Sequence, residues 1–349
     1  MAPASALAAP SILPPLTNTA EHIPLAQQAM EYFDKSSDPF HAVQTSIDML
    51  SEAGFEELDD VSPYEGKIQP GGRYYFTRNK STLVAFSVGK DYVPGMGGFK
   101  VIGAHTDSPN LRVKPRSKRS AKGAKSIQVG VECYGGGLWH TWFDRDLGLS
   151  GRVMTSTLAG KDVGSKSRTI EQKLIKIDRA LLRIPNLAIH LQSAEERKGF
   201  APNKEDHLSP ILAMAAQKAL TGGDNEGDNS NDDKKKKKNE DKDGWKEYQE
   251  PLLLEVLASE LGVSTDEIVD FELNLFDIQK SSLGGYHSEF IHSARLDNLA
   301  SCFLAVQALV EYVEGPGSEA TVEEGTVVVD KDISMVVLYD HEEVGSTSA

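Results

Sequence analysis

Lys100-Val101-Ile102-Gly103-Ala104-His105-Thr106-Asp107-Ser108-Pro109 carries the chain from an apolar, β-prone run into a polar turn closed by a proline. A strand over Lys100 to Ala104 delivers the chain to His105, and Pro109 prevents its continuation because proline has no N–H for a sheet ladder. On extended backbone, side chains two residues apart leave on the same side, so Asp107 can stand behind His105. A metal-binding histidine needs that arrangement, with one ring nitrogen on the metal and the other held by a carboxylate that fixes the tautomer. Alone the pattern is weak, since a histidine at a strand end is more often a hydrogen-bonded structural residue.

Two later stretches supply partners. Ala294-Arg295-Leu296-Asp297-Asn298 leads into a segment of helical periodicity, Leu296 to Tyr312, marked by Leu299, Phe303, Val306 and Val310. Asp297 therefore sits at a helix start, where an ordinary N-cap aspartate would also sit. Ile333 to Tyr339 reads as a buried strand ending in Asp340-His341-Glu342-Glu343. Extended backbone would send Glu342 and Glu343 to opposite sides, one to hold a metal and the other a water, and adjacent carboxylates repel unless a cation is near. His341 does not open a HExxH motif, because Gly345 stands at the second histidine's position. Gly135-Gly136-Gly137 lacks the Lys-Ser/Thr of a phosphate loop.

Around these stretches the pattern is that of an α/β layer protein. A helix is expected from Pro39 to Ala53, with Phe40, Val43, Ile47 and Leu50 on one stripe, Asp38 as cap, Pro39 at the first position and Gly54 at the end. Tyr74 to Thr77 and Leu83 to Val88 read as strands. From about Leu111 to Tyr286 the alternation is lost and β-prone pieces such as Ile127 to Glu132 and Leu187 to Gln192 appear, which reads as an inserted domain. Inside it, Thr221 to Gly244 holds five consecutive lysines among acidic residues; it reads as a solvated disordered loop in preference to a nuclear signal, because the flanks cancel the basic field.

The net charge of −15 argues against nucleic acid or an anionic membrane as main partner. Cys133 and Cys302 are the only cysteines, without CxxC spacing, and read as buried free thiols in a reducing compartment. Residues 1–20 lack a basic start and are interrupted by prolines, which reads as a flexible tail and no signal peptide. No segment is expected to reach the ~20 apolar residues of a bilayer span. Cytoplasmic placement follows, with delivery to a vacuolar or lysosome-like compartment left open.

Taken together, GAHTDSPNLRVKP, YGGGLWHTWFDRDLGLSGRV, LAIHLQ, SEFIHSARLDNL and DHEEVGS resemble the aspartyl aminopeptidases, co-catalytic zinc metallopeptidases of the M18 family. The likeness runs from about residue 24 onward, apart from the lysine-rich loop. It implies an α/β fold: a co-catalytic zinc aminopeptidase-like mixed sheet with helices on both faces, formed by residues 21–110 and 287–349, plus an inserted β-rich dimerisation domain over residues 111–286. It further implies two Zn2+ ions, with His105 on one, Glu343 on the other, Asp297 bridging both, Glu342 as general base and Asp107 behind His105. A cis peptide after Asp297 is implied too. His190 matches a position that reaches a neighbouring subunit's active site and binds substrate there. The implied substrates are peptides with N-terminal Asp or Glu, and the implied assembly is a homo-oligomer of dimers.

Relatives of this kind carry two more ligands, an aspartate and a histidine, beyond a DHEEVGS motif. The 349 residues are therefore expected to bind zinc weakly, to be nearly inactive, and to leave strand edges and apolar surface uncovered. Two other readings stay open: an inactive subunit acting in oligomer assembly or regulation, and a carboxypeptidase or deacylase on a related two-zinc core.

Overall fold

The structure, a computed structural model, describes residues 19–119, 126–158, 168–214, 244–314 and 330–345. Residues 1–18 of the expected tail and residues 221–243 of the expected loop lie outside the described residues. The expected tail runs two residues too far, because Thr19 opens a helix, α1 (Thr19–Lys35), whose interior Pro24 masks it in the sequence.

α2 (Pro39–Glu52) forms where expected. The Asp38 carboxylate accepts from the His41 backbone N–H at 3.0 Å, Pro39 fills the first position, and Gly54 follows with φ 78°. α1, α2 and α4 (Leu296–Glu314) bury Phe33, Val43, Leu50, Phe303 and Val306 together against one face of a five-stranded mixed sheet. The strands are β1 (Glu56–Glu57), β2 (Arg73–Arg78), β3 (Thr82–Val88), β4 (Phe99–His105) and β13 (Ile333–Tyr339), in the order β1-β2-β3-β13-β4. A smaller cluster of Leu58, Tyr74, Phe86, Val88 and Ile333 forms with loop residues such as Tyr64 and Ile68.

β13 is antiparallel to β3 and parallel to β4, so it is paired along both edges, and its apolar run is what such an interior strand requires. β4 and the two-residue β1 are the edges of this sheet among the described strands, and Phe99, Val101 and Ile102 are exposed on β4.

Between β4 and β13 in sequence lies a second sheet, antiparallel, in the order β8-β7-β10-β5-β6-β9. Its strands are β5 (Asn110–Arg119), β6 (Ser126–Tyr134), β7 (Leu147–Leu158), β8 (Arg168–Leu182), β9 (Ile211–Met214) and β10 (Ile268–Asp277). α3 (Pro251–Leu261), which the sequence reading does not anticipate, sends Leu253, Leu254 and Leu257 into this sheet's own core with Leu149, Ile177 and Leu273. A two-stranded ribbon, β11 (Ser282–Gly284) and β12 (Phe290–His292), returns the chain to α4.

One expected strand is absent. Leu187 to Gln192 folds around a tight turn, Ile189–Leu191. Local bonds win there: Asn186 is anchored twice to the Asp144 carboxylate, Gln192 Nε2 donates to the Leu187 carbonyl at 2.7 Å, and the apolar side chains stay exposed.

The expectation of no membrane-length segment needs a qualification. α4 has 19 residues at mean hydropathy 1.2, long and apolar enough by length and composition, but its stripe of Leu299, Phe303, Val306 and Leu309 is buried in the core. Both cysteines are free; Cys302 is buried, whereas Cys133 is only half-buried, which corrects the expectation of two buried thiols. Burial pushes the Cys302 thiol up to about 12, with the nearby Asp107 adding to the rise. We expect iodoacetamide to label Cys133 in the folded protein and Cys302 only after denaturation, read by peptide mass spectrometry. Equal labelling rates in the folded state would contradict this packing.

Candidate metal centre

β4 and β13 run parallel with Tyr339 opposite His105, so the two signature stretches leave the same end of the sheet side by side. Thr106 fastens the junction, its backbone N–H donating to the Tyr339 carbonyl at 2.9 Å and its hydroxyl to the Ser81 carbonyl at 2.9 Å. The Ser108 hydroxyl donates to the Asp297 carbonyl at 2.9 Å, tying the start of α4 to the end of β4. Further along α4, Cys302 donates its thiol to the His105 carbonyl at 3.0 Å. The Asp297–Asn298 peptide is cis.

His105 is 7% exposed. Its Nδ1 lies 3.0 Å from the Asp107 carbonyl oxygen and 3.3 Å from Asp107 Oδ1. Its Nε2 turns the other way, 3.3 Å from Asp297 Oδ1 and 3.7 Å from Glu342 Oε2. Asp107 is fully buried and collects further donors: the Tyr134 hydroxyl at 2.7 Å, the Glu342 N–H at 3.2 Å and the Glu343 N–H at 3.0 Å. Burial alone would raise this carboxyl; the bonds from His105, Tyr134 and the Glu343 N–H outweigh it and hold it below the ordinary aspartate value.

The extended geometry expected at Glu342 and Glu343 does not form. His341 takes φ 71° and Glu342–Val344 make a tight 3-10 turn. The cause is a pair of carboxylates: Asp340 accepts the His341 N–H at 2.8 Å, and Asp107 accepts the next two N–H groups. The turn directs both glutamates to the same place as His105, and donor atoms of His105, Glu342 and Glu343 all lie within 4.8 Å of one another. Asp297 joins this group through His105 Nε2, on its solvent side. His190 is not part of it; it stands on the exposed turn Ile189–Leu191.

Electrostatics mark the place as one built for positive charge. Burial pushes the imidazole of His105 down, yet Asp107 and Glu342 overcome that and raise it to about 9. Glu343 is raised, first by burial and then by Asp107, with Asp297 and Glu342 adding to the effect. One imidazole among four carboxylates is a nitrogen-and-oxygen donor set with surplus negative charge, and it fits zinc.

Tyr134 escapes the sequence reading. A signal exists in YGGG at the end of a strand, but a lone tyrosine announces no bond to a residue 27 positions earlier.

The chain belongs to the M18 peptidases. The family model for the aminopeptidase I zinc metalloproteases (M18) matches residues 32–349. An aspartyl aminopeptidase of Aspergillus oryzae is 44% identical over 336 residues, covering 93% of this chain and 62% of that protein. A cryo-EM structure of an Ape4 and Nbr1 complex superposes with TM-score 0.78 at 40% identity, covering 95% of this chain and 57% of the other. The mApe1 dodecamer of S. cerevisiae gives TM-score 0.68 at 28% identity, covering 94% and 63%. The chain thus spans about three fifths of the length of such relatives.

Proposed function

We propose that the protein is a two-zinc aminopeptidase that releases N-terminal Asp and Glu from peptides. The observation that carries this reading is the orientation of His105, held from behind by Asp107 while Nε2 faces Asp297 and Glu342. His105 would hold one zinc, Glu343 the other, and Asp297 would bridge them. When bound, the two zincs would polarise the scissile carbonyl and acidify a water. Glu342, half-exposed at 51%, has the access to accept that water's proton and pass it to the leaving amine.

Preference for an acidic first residue is supported by the name of the Aspergillus relative and by an adjacent cavity of about 400 Å³. Asn110, Arg145, Lys280, His292 and Arg295 line it, with Asp277 the single carboxylate; Arg145 pairs with Asp277 and Lys280 with Asp178, which leaves Arg295 as the lining cation without a carboxylate ion pair among the described residues. Residues 111–286 are proposed as the dimerisation domain of a homo-oligomer, a reading supported by the dodecameric neighbour, and exposed His190 has the access to approach substrate in an adjoining subunit. The test is hydrolysis of Asp- and Ala-p-nitroanilide, with and without chelator, by a zinc-loaded chain extended to the length of its relatives. Chelator-sensitive preference for Asp is expected. Activity confined to N-acylated or free-carboxylate substrates would select deacylase or carboxypeptidase chemistry instead.

A further inference from the structure

The end of β6 reaches from the second sheet into the metal centre. Tyr134 is buried, and its hydroxyl donates to Asp107 Oδ2 at 2.7 Å. The next residue, Gly135, has φ 76°, and a Cβ there would lie 3.0 Å from Glu343 Cβ, so the backbone after β6 abuts the glutamate turn. Against the tyrosine, the Arg112 guanidinium sits 3.5 Å from the ring centroid. Arg112 Nη1 in turn pairs with Glu272 Oε1 at 3.2 Å, and Glu272 Oε2 takes Arg152 Nη2 at 3.0 Å. Four strands of the second sheet, β5, β6, β7 and β10, are thereby linked to one carboxylate of the metal centre.

A carboxylate has about four lone-pair sites. On Asp107, Oδ1 accepts the Glu342 N–H and lies 3.3 Å from His105 Nδ1, which is also 3.0 Å from the Asp107 backbone carbonyl, and Oδ2 accepts the Tyr134 hydroxyl and the Glu343 N–H. Without the hydroxyl, Oδ2 keeps one donor and the carboxylate can rotate. That rotation would loosen the imidazole and the glutamate turn together. We propose that Tyr134 is a positioning residue of the metal centre, locking Asp107 so that His105 and Glu343 present their donor atoms together, and carrying the geometry of the second sheet to the metal. The inference rests on the reading of His105 and Glu343 as metal ligands. Burial, and then Asp107, push the tyrosine hydroxyl well above its ordinary value, so it remains a donor.

The test compares zinc affinity, by competition with a chromophoric chelator, for the wild-type chain, Tyr134→Phe, His105→Ala, Asp107→Asn and the Tyr134→Phe/Asp107→Asn double variant. Deuterium uptake of the peptide containing Glu342 and Glu343 is measured on the metal-free proteins. Tyr134→Phe should weaken zinc binding about 10-fold or more, speed exchange at those amides, and add nothing further in the Asp107→Asn background. A residue serving only its own sheet would change neither readout. Weak binding by His105→Ala with wild-type affinity and exchange in Tyr134→Phe would overturn the inference alone. Equal binding by wild type and His105→Ala would overturn the metal reading and the inference with it. Should Tyr134→Phe fail to fold, Arg112→Lys, which keeps the hydroxyl but loses the planar support of the ring, decides: lower zinc affinity upholds the proposal and unchanged affinity overturns it.

Discussion

In a chain extended to the length of its relatives, Glu342→Gln should lower turnover of an Asp-amide substrate by about 10²- to 10⁴-fold, the span general base catalysis ordinarily supplies. Glutamine preserves size and one acceptor oxygen but cannot take a proton from water at neutral pH. The geometry makes the outcome informative, because donor atoms of Glu342 and Glu343 both lie within 4.8 Å of His105 and either could serve a metal. Glu342 is the more exposed of the two, and its carboxylate stands on the Nε2 side of the imidazole. Glu343 is half-buried against Gly135. A base needs water, whereas a ligand benefits from a dry, fixed position. Zinc affinity should therefore change little in Glu342→Gln and fall clearly in Glu343→Gln, read by the same chelator competition. A large loss of zinc affinity in Glu342→Gln would reassign it as a ligand.

The sequence discloses most where local chemistry and final structure coincide. Asp38-Pro39 and Gly54 bracket α2 because capping is decided within a few residues. β13 is legible because an interior strand carries a continuous apolar run. The direction of the Asp107 side chain behind His105 follows from the two-residue repeat of extended chain. Glu342 and Glu343 are misread for the opposite reason. Their turn needs, besides the adjacent Asp340, a carboxylate 235 residues from Glu342 in sequence, and no local pattern encodes that second bond. Leu187 to Gln192 has the residues of a strand, but the adjoining Asn186 is captured by the side chain of Asp144 and the segment closes on itself. The convergence of His105, Glu342 and Glu343 is thus legible from the ends of two strands, while His190 stands apart and the scaffold beneath the group, Tyr134 above all, depends on which sheets meet.

Asp107 is where those contacts converge, and its loss should be the largest structural effect of any single change at the centre. Asp107→Ala leaves the Tyr134 hydroxyl and two backbone N–H groups facing a methyl group in a buried site, while His105 Nδ1 keeps the backbone carbonyl of residue 107 at 3.0 Å but loses the charge beside it. Each buried donor without an acceptor costs about 1–3 kcal/mol. Water entering the vacated space recovers part of that, so a net loss of about 3–5 kcal/mol is expected, as for other broken buried charge partnerships. Urea unfolding of the metal-free protein measures it, and a loss under about 1 kcal/mol would show that these side-chain contacts are not held together in solution. The pH dependence gives an independent check. The folded carboxyl lies below its unfolded value of about 3.9, so its ionised form binds the fold. The contribution is then complete above the unfolded value and disappears as pH falls through the folded one. The stability gap between wild type and Asp107→Asn should be widest between about pH 4 and about pH 6.5, narrowing below that range as Asp107 takes up its proton and above it as His105, raised to about 9 with Asp107's help, gives up its own. A gap that instead widened below about pH 4 would mean that Asp107 is protonated in the fold and donates a bond, which would place the proton, and the orientation of His105, differently from the arrangement the metal centre requires.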